Sequence, residues 1–446
     1  MKFGSECSSN LHIIYKNVNV IYKYVIIALA VCFTQPLFAE ADTETKIFNE
    51  KVKTLQVRLA GAPQGAIGLP VMILDSQDGI VIEFDHLAED REYLRYSLTH
   101  CDANWRPDAL AYVEYLDGFN QGDIEDYAFS QSTSVHYVHY SLSLPNAQVR
   151  PTISGNYLLK VYPEGDEDNV WLQCRFAISE QTASISISAT SRTDVDYNRE
   201  HQQLEVIADV DRSGARDMFN DLTLVLEQNG RNDNRRSLNH PLRISGGKLH
   251  YEHQKELIFP AGNEYRRFET VSKRYAPMGV SEVAWKSPYY RFVLNTDLPR
   301  SASQYLYDET LSGGFIIRNA DDVNIFETDD PTVEADYAVT YFSLEMPELP
   351  GKSIFIDSEI TNRQFSPESA MVYNRATGCY EKAMLLKQGA YSYQYLVTDP
   401  GQQEGQTSVV EGNRYETMNH YTAYLYNRRP GERFDRLIGV ASIITR

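Results

Sequence analysis

Short runs in which apolar and polar residues alternate, each closed by Gly, Pro or Asn, recur along this chain and limit its fold more than any other feature. Thr54–Leu59, Ile80–Phe84, Tyr137–Leu142 and Tyr157–Tyr162 carry the period of two that sends successive side chains to opposite faces of a pleated strand. Helical faces, with apolar residues three and four apart, are scarce. The 31 tyrosines suit the same pattern, because a half-buried sheet takes the ring inward and leaves the hydroxyl to water. The expected fold class is all-β: several consecutive β-sandwich domains, immunoglobulin-like or early-set, with little helix.

At 446 residues the chain exceeds what one hydrophobic core usually fills. Residues 1–41 read as a signal peptide, with Lys16 and Lys23 ahead of the apolar run Tyr24–Phe33 and small residues at Ala39 and Ala41. The run is too short for a helical span. Cys32, after Leu29-Ala30-Val31, offers lipid attachment as a competing reading. Three units follow. Residues 42–177 close with Trp171–Phe176. The polar linker Ser179–Thr182 leads to 183–297, whose hairpin Ile244–Leu249 holds paired glycines for a tight turn. An acidic loop over 319–331 precedes 335–446.

The net charge is −19, and losing residues 1–41 removes three lysines and two glutamates to leave −20. A field of that sign repels phosphate backbones and anionic lipid, which argues against nucleic acid and against membrane attachment by charge. No direct membrane insertion is expected. The cysteines beyond residue 41 are Cys101, Cys174 and Cys379, read as buried small hydrophobes, with a Cys101–Cys174 bridge as the alternative.

No nucleotide-binding glycine fingerprint, phosphate loop, nucleophile elbow or paired-histidine zinc motif occurs. His136 and His139, like His250 and His253, are three apart and face opposite sides of a strand. His100 and Cys101 are neighbours that also face apart, and Asp321, Asp322, Asn324 and Glu327 lack calcium-loop spacing. The chain is therefore expected not to be an enzyme, with no catalytic, cofactor or metal residues and no small-molecule ligand. A hydrolytic triad dispersed along the sequence is geometric and escapes this reading.

Several strings are too specific for strand and turn filler. They are Arg95–Trp105 with its core His100-Cys101-Asp102-Ala103-Asn104-Trp105, Glu114–Phe119, Ser154–Tyr157, Tyr197-Asn198 with His201-Gln202, Gly262–Glu269, Glu334–Tyr337 and Leu386–Tyr393. Together they resemble the type IX secretion system plug protein family. That resemblance implies a non-catalytic periplasmic protein, on the inner side of the outer membrane, that binds and plugs the periplasmic end of a large outer-membrane secretion barrel. His100, Asn104, Trp105, Asn263, Glu264 and Arg266 are the motif positions, with a structural role as the alternative to recognition. For Gly262–Glu269 the structural reading is a turn at Gly262-Asn263 whose neighbouring charges pair.

The last unit is also similar to early-set sandwiches that bind glycogen or starch, through Ser353–Ile356, Met371–Tyr373, Gly378–Glu381 and Leu386–Tyr395. The turn Asp357–Phe365, where those modules carry tryptophan, has none here. The alternative function is a periplasmic carbohydrate-binding protein, and Tyr391, Tyr393 and Tyr395, alternating on one strand face, would be its platform.

Overall fold

The computed structural model describes residues 42–321 and 330–445. The expected signal peptide and Cys32 lie outside the described residues. Strands dominate, as the alternation predicts, and the one α-helix among the described residues, Pro331–Glu334, is a single turn. No helix among them is long and apolar enough to cross a membrane.

The strands build three sandwiches, each two sheets around one core. In the first domain, Val52–Leu59, Ile80–His86, Val138–Leu144 and Asp126–Phe129 form one sheet in that spatial order. The facing sheet runs Lys46–Ile47, Leu172–Ser179, Gly155–Pro163, Leu94–Cys101, Gly122–Asp123. Phe84, Tyr140, Leu98, Leu159 and Phe176 meet between them. Burial alternates along Leu94–Leu98 as the sequence alternates. Leu172–Ser179 is instead buried at every position, because its outer face lies under strand Arg436–Ile444 at Ala177 and against Thr43, Glu44 and Trp105 at Gln173 and Arg175.

The second domain pairs a sheet of Ser184–Thr190, His201–Asp209, Lys248–Tyr251 and Arg243–Ser245 with one of Arg236–Leu238, Leu222–Gln228, His420–Asn427 and Arg436–Ile444. Leu204, Leu224, Phe259 and Tyr421 fill the space between. The predicted tight hairpin is present: Ser245 pairs with Lys248 across Gly246 and Gly247, whose φ of 59° and 75° a side chain would strain. In the third domain, Arg266–Glu269, Phe315–Ile317 and Ser353–Asp357 all pair with Gly389–Thr398. The opposite sheet is Val280–Lys286, Tyr289–Leu294, Tyr337–Glu345, Cys379–Lys387 and Val372–Asn374.

The expected units 183–297 and 335–446 do not survive this topology. Strand His420–Asn427 pairs with Leu222–Gln228 in the second domain, whereas Arg266–Glu269 and Tyr289–Leu294 belong to the third. The third sandwich is thus inserted into the second. Alternation specifies a strand and its inward face but not its partner, so a pairing that spans about half the chain left no local mark.

Cys101, Cys174 and Cys379 are free and buried. Strand Gly155–Pro163 separates Cys101, opposite Asn156, from Cys174, opposite Leu159, so two strand spacings alone put their backbones roughly 10 Å apart and the three-residue offset adds to that, beyond disulfide reach. Burial pushes both thiols up to about 12. An aromatic disulfide reagent at pH 8 is therefore expected to leave Cys101 and Cys174 unmodified in the native protein and to titrate all three thiols in urea. Rapid native modification of either one would contradict the packing.

Candidate functional site

Several of the family-like strings converge on the joints between sandwiches, whereas Tyr197, Asn198 and His201 stay within the second domain, where Asn198 accepts from Ser191 and His201 meets Asp196. At the joint of first and second domains, Asp102 folds the turn after Leu94–Cys101. Its side chain accepts from the N–H groups of Asn104 at 2.8 Å and Arg106 at 2.9 Å, which holds Trp105 at a φ of 64°. The Ala103 N–H then donates to Asp435 at 2.8 Å, Arg235 donates to the Ala103 carbonyl at 3.1 Å, and Asn156 bridges the Asp102 carbonyl to the Tyr426 hydroxyl. Trp105 is buried under the Arg175 guanidinium, 4.4 Å from the ring centroid. Asn104 sits exposed at the tip of the turn.

His100 is buried, with Nδ1 2.6 Å from Asp108 and Nε2 3.0 Å from the Ser154 carbonyl, and Phe434 of the second domain meets it edge-on. Both ring nitrogens are engaged, and Cys101 packs on the other strand face against Trp105 and Leu158. The approach explains Gly155, since a Cβ there would lie 2.4 Å from His100 Nε2. In Glu114–Phe119, Tyr115 and Leu116 are core, whereas Phe119 is 78% exposed.

The chain crosses from second to third domain through Gly262–Glu269 and returns through 411–419. The two crossings are laced together. Asn263 donates to the Glu411 carbonyl at 2.8 Å, Gly262 accepts from Arg414 and Thr417, and Glu264 accepts from the Tyr305 hydroxyl and the Met418 N–H. Burial lifts the Glu264 carboxyl above its ordinary range. Arg266 lies 2.7 Å from Asp297 and 3.0 Å from Glu411, which Arg300 also reaches at 2.6 Å. Burial alone would raise Glu411, but the two guanidiniums outweigh it and hold the carboxyl low. The two arginines of this string pair, Arg266 with Asp297 and Glu411 and Arg267 with Asp308 of the segment before strand Phe315–Ile317, rather than with Glu264 or Glu269 beside them. Gln202, from another string, binds the Tyr415 and Thr417 carbonyls.

The joint of first and third domains is a buried ion pair, Asp85 to Lys387 at 2.6 Å. The Asp85 carboxylate also accepts from the Tyr337 hydroxyl at 2.6 Å and lies 2.8 Å from His139, while the Lys387 ammonium stands 4.2 Å from the centroid of the Tyr137 ring. Burial pushes Asp85 upward, yet Lys387 and His139 prevail and hold it below the usual carboxylate range. Asp336 accepts from the Ser134 and Val135 N–H groups, and Tyr137 donates to the Ala335 carbonyl at 2.8 Å. Thr54, at a bulge with a φ of 56°, reaches the Tyr337 hydroxyl at 2.5 Å. Lys387 and Tyr337 lie in strings that sequence singled out. Asp85, Glu411 and Asp435 do not, and a lone acid on a strand or loop carries no local sign of a partner hundreds of residues away.

All three domains meet at a cavity of about 120 Å³ lined by Trp105 and Arg175 of the first, Glu227 and Asn232 of the second, and Glu359 and Arg363 of the third. Burial raises the Glu359 carboxyl to about 7. Elsewhere, His136 faces Glu89, and Asp321 accepts from Ser272 and the Lys273 N–H; Asp322, Asn324 and Glu327 lie outside the described residues. The aromatic platform expected at Tyr391, Tyr393 and Tyr395 is absent. All three are buried, the latter two donating to Asp297, because strand Gly389–Thr398 carries partners along its length and turns that face into the core.

Residues 52–180 match the first domain of type 9 secretion system plug proteins. The chain belongs to the type IX secretion system plug family. Plug-family membership makes it a protein with a role related to that secretion system and ties its interactions to secretion-system components. It is similar along its length to a solved structure, a hypothetical protein from Parabacteroides merdae. That structure is 38% identical, with a TM-score of 0.86, over 90% of this chain and 99% of that one. An Escherichia coli alpha-2-macroglobulin fragment spanning domains NIE-MG1 shares 13% identity over 46% of this chain and 89% of its own. Its TM-score of 0.18 carries no argument. No curated protein matches.

Lys387→Met leaves Asp85 buried without its counter-charge and is expected to cost about 3–5 kcal/mol in urea unfolding. The Asp85→Asn/Lys387→Met pair should cost clearly less, and equal losses would deny that charge holds this joint. Since Asp85 titrates below its unfolded value, its contribution is present above the ordinary carboxylate range and disappears as pH falls through the depressed pKa. Glu359 has the opposite sign: its raised pKa costs stability as pH climbs from about 4.5 to about 7. Glu359→Gln should therefore stabilise the protein at pH 8 by on the order of 2 kcal/mol and change little at pH 4, as read by denaturation at the two pH values.

Proposed function

We propose that this protein is a non-catalytic periplasmic component of the type IX secretion system that binds and plugs the periplasmic end of the outer-membrane translocon barrel. The observation that carries the reading is the use made of the family-like strings. Several of them tie three sandwiches into one block by buried charges and hydrogen bonds at every joint. A stopper has to hold its shape against a pore, and joints of this kind resist sliding because separating them strands charge out of water. Support against catalysis comes from the groups that would perform it: His100 has both nitrogens engaged, and the Cys101 and Cys174 thiols are pushed far from ionisation. Burial of Tyr391, Tyr393 and Tyr395 removes the feature on which the carbohydrate alternative rested.

Tagged protein recovered from detergent-solubilised membranes of its own host should bring down one very large outer-membrane barrel in near-equal amount. Recovery without any membrane partner, together with retention on glycan beads, would overturn the reading.

A further inference from the structure

The third domain's outer sheet has a face that is covered at one end and bare at the other. Paired residues on adjacent strands share a face. Glu282, Val293, Tyr341 and Ala383 therefore form one row across four strands, and Ser343, Glu381 and Val372 form the next. Further along the same two central strands, on the same face, stand Tyr337 and Lys387, the residues on which the first domain docks. The bare half is thus continuous with an interface already in use. It is a broad hollow of about 1020 Å³, with Trp285 52% exposed at its rim and Val372 72% exposed at its far edge. A solvated sheet face normally alternates to polar residues, and here Val293, Tyr341, Ala383 and Val372 stand among Glu282, Ser343 and Glu381.

The charges around it single out a partner. In a chain of net charge −19, the hollow is lined by Lys286, Arg291, Arg375 and Lys382 against Glu282 and Glu381; among the described residues Lys286 and Arg291 have no carboxylate partner, and the Arg291 guanidinium lies 5.7 Å from the Tyr341 ring centroid. By contrast Arg266, Arg267, Arg300 and Arg363 are all ion-paired. Unpaired cations around an apolar patch complement an acidic rim around an apolar centre.

We propose that this bare half-face, centred on Tyr341, is the surface that docks the secretion barrel, against a barrel surface with an apolar centre and an acidic rim. The inference rests on the plug reading and names its contact.

The test is the same pull-down with three variants. Val372→Asp lies at a largely exposed position, and Lys286→Glu/Arg291→Glu reverses the unpaired cations, so neither enters the core; Phe119→Asp is the control on an exposed aromatic of the first domain. Melting curves should match wild type for all three. Recovered barrel should fall at least tenfold for the first two and stay unchanged for Phe119→Asp. A photo-crosslinker at Ala383 should capture the barrel through an acidic peptide. If wild type holds the barrel and the face variants hold it equally, the surface is wrong while the plug reading stands; if the crosslink joins two copies of this chain, the surface is again wrong. If wild type holds no barrel, the plug reading fails and takes this inference with it.

Discussion

Asp85 and Lys387 lie 2.6 Å apart, both out of water, on strands that belong to different domains. Neither charge tolerates that position alone, so the two domains can part only by carrying both ions back to solvent or abandoning one in the interior. Such a contact has one good geometry. An apolar joint slides at little cost, whereas here the carboxylate is also held by Tyr337 and His139 and the ammonium by the Thr332 carbonyl, which fixes angle as well as distance. Glu411, gripped by Arg266 and Arg300, imposes the same constraint where the chain crosses between second and third domains. Asp435, which binds the Ala103 N–H and Arg428, imposes it between first and second.

This arrangement accounts for what was legible in the sequence and what was not. Alternation revealed strands and their inward faces, because burial on one side of a sheet writes a period of two into the residues. The specific strings were legible as strings, and His100, Trp105, Asn263, Glu264 and Arg266 proved to be parts of joints, with Asn104 left at the tip of its turn. Which elements they join was not legible. The partners of Trp105 and Ala103 include Arg175, Arg235 and Asp435, and no periodicity connects residue 103 to residue 435.

Tyr391, Tyr393 and Tyr395 show the complementary failure. Spacing established that they share a face and left open whether that face is covered, and here the core covers it. The bare face lies on the other sheet of the same domain, where Val293, Tyr341 and Ala383 come from three strands and become neighbours only through cross-strand register. A patch assembled in this way has no linear signature.

The insertion of the third sandwich into the second sets an order of assembly. A chain made N-terminus first presents Leu222–Gln228 long before its partner His420–Asn427 has been synthesised, and by then every strand of the third sandwich has already been made. The second domain must wait half-built, with one edge of a buried strand open to any passing β-segment, until the last strands arrive. Holding that edge safe until then is work for a chaperone, and truncations near the C-terminus should be read as failures of the middle of the molecule, not of its end.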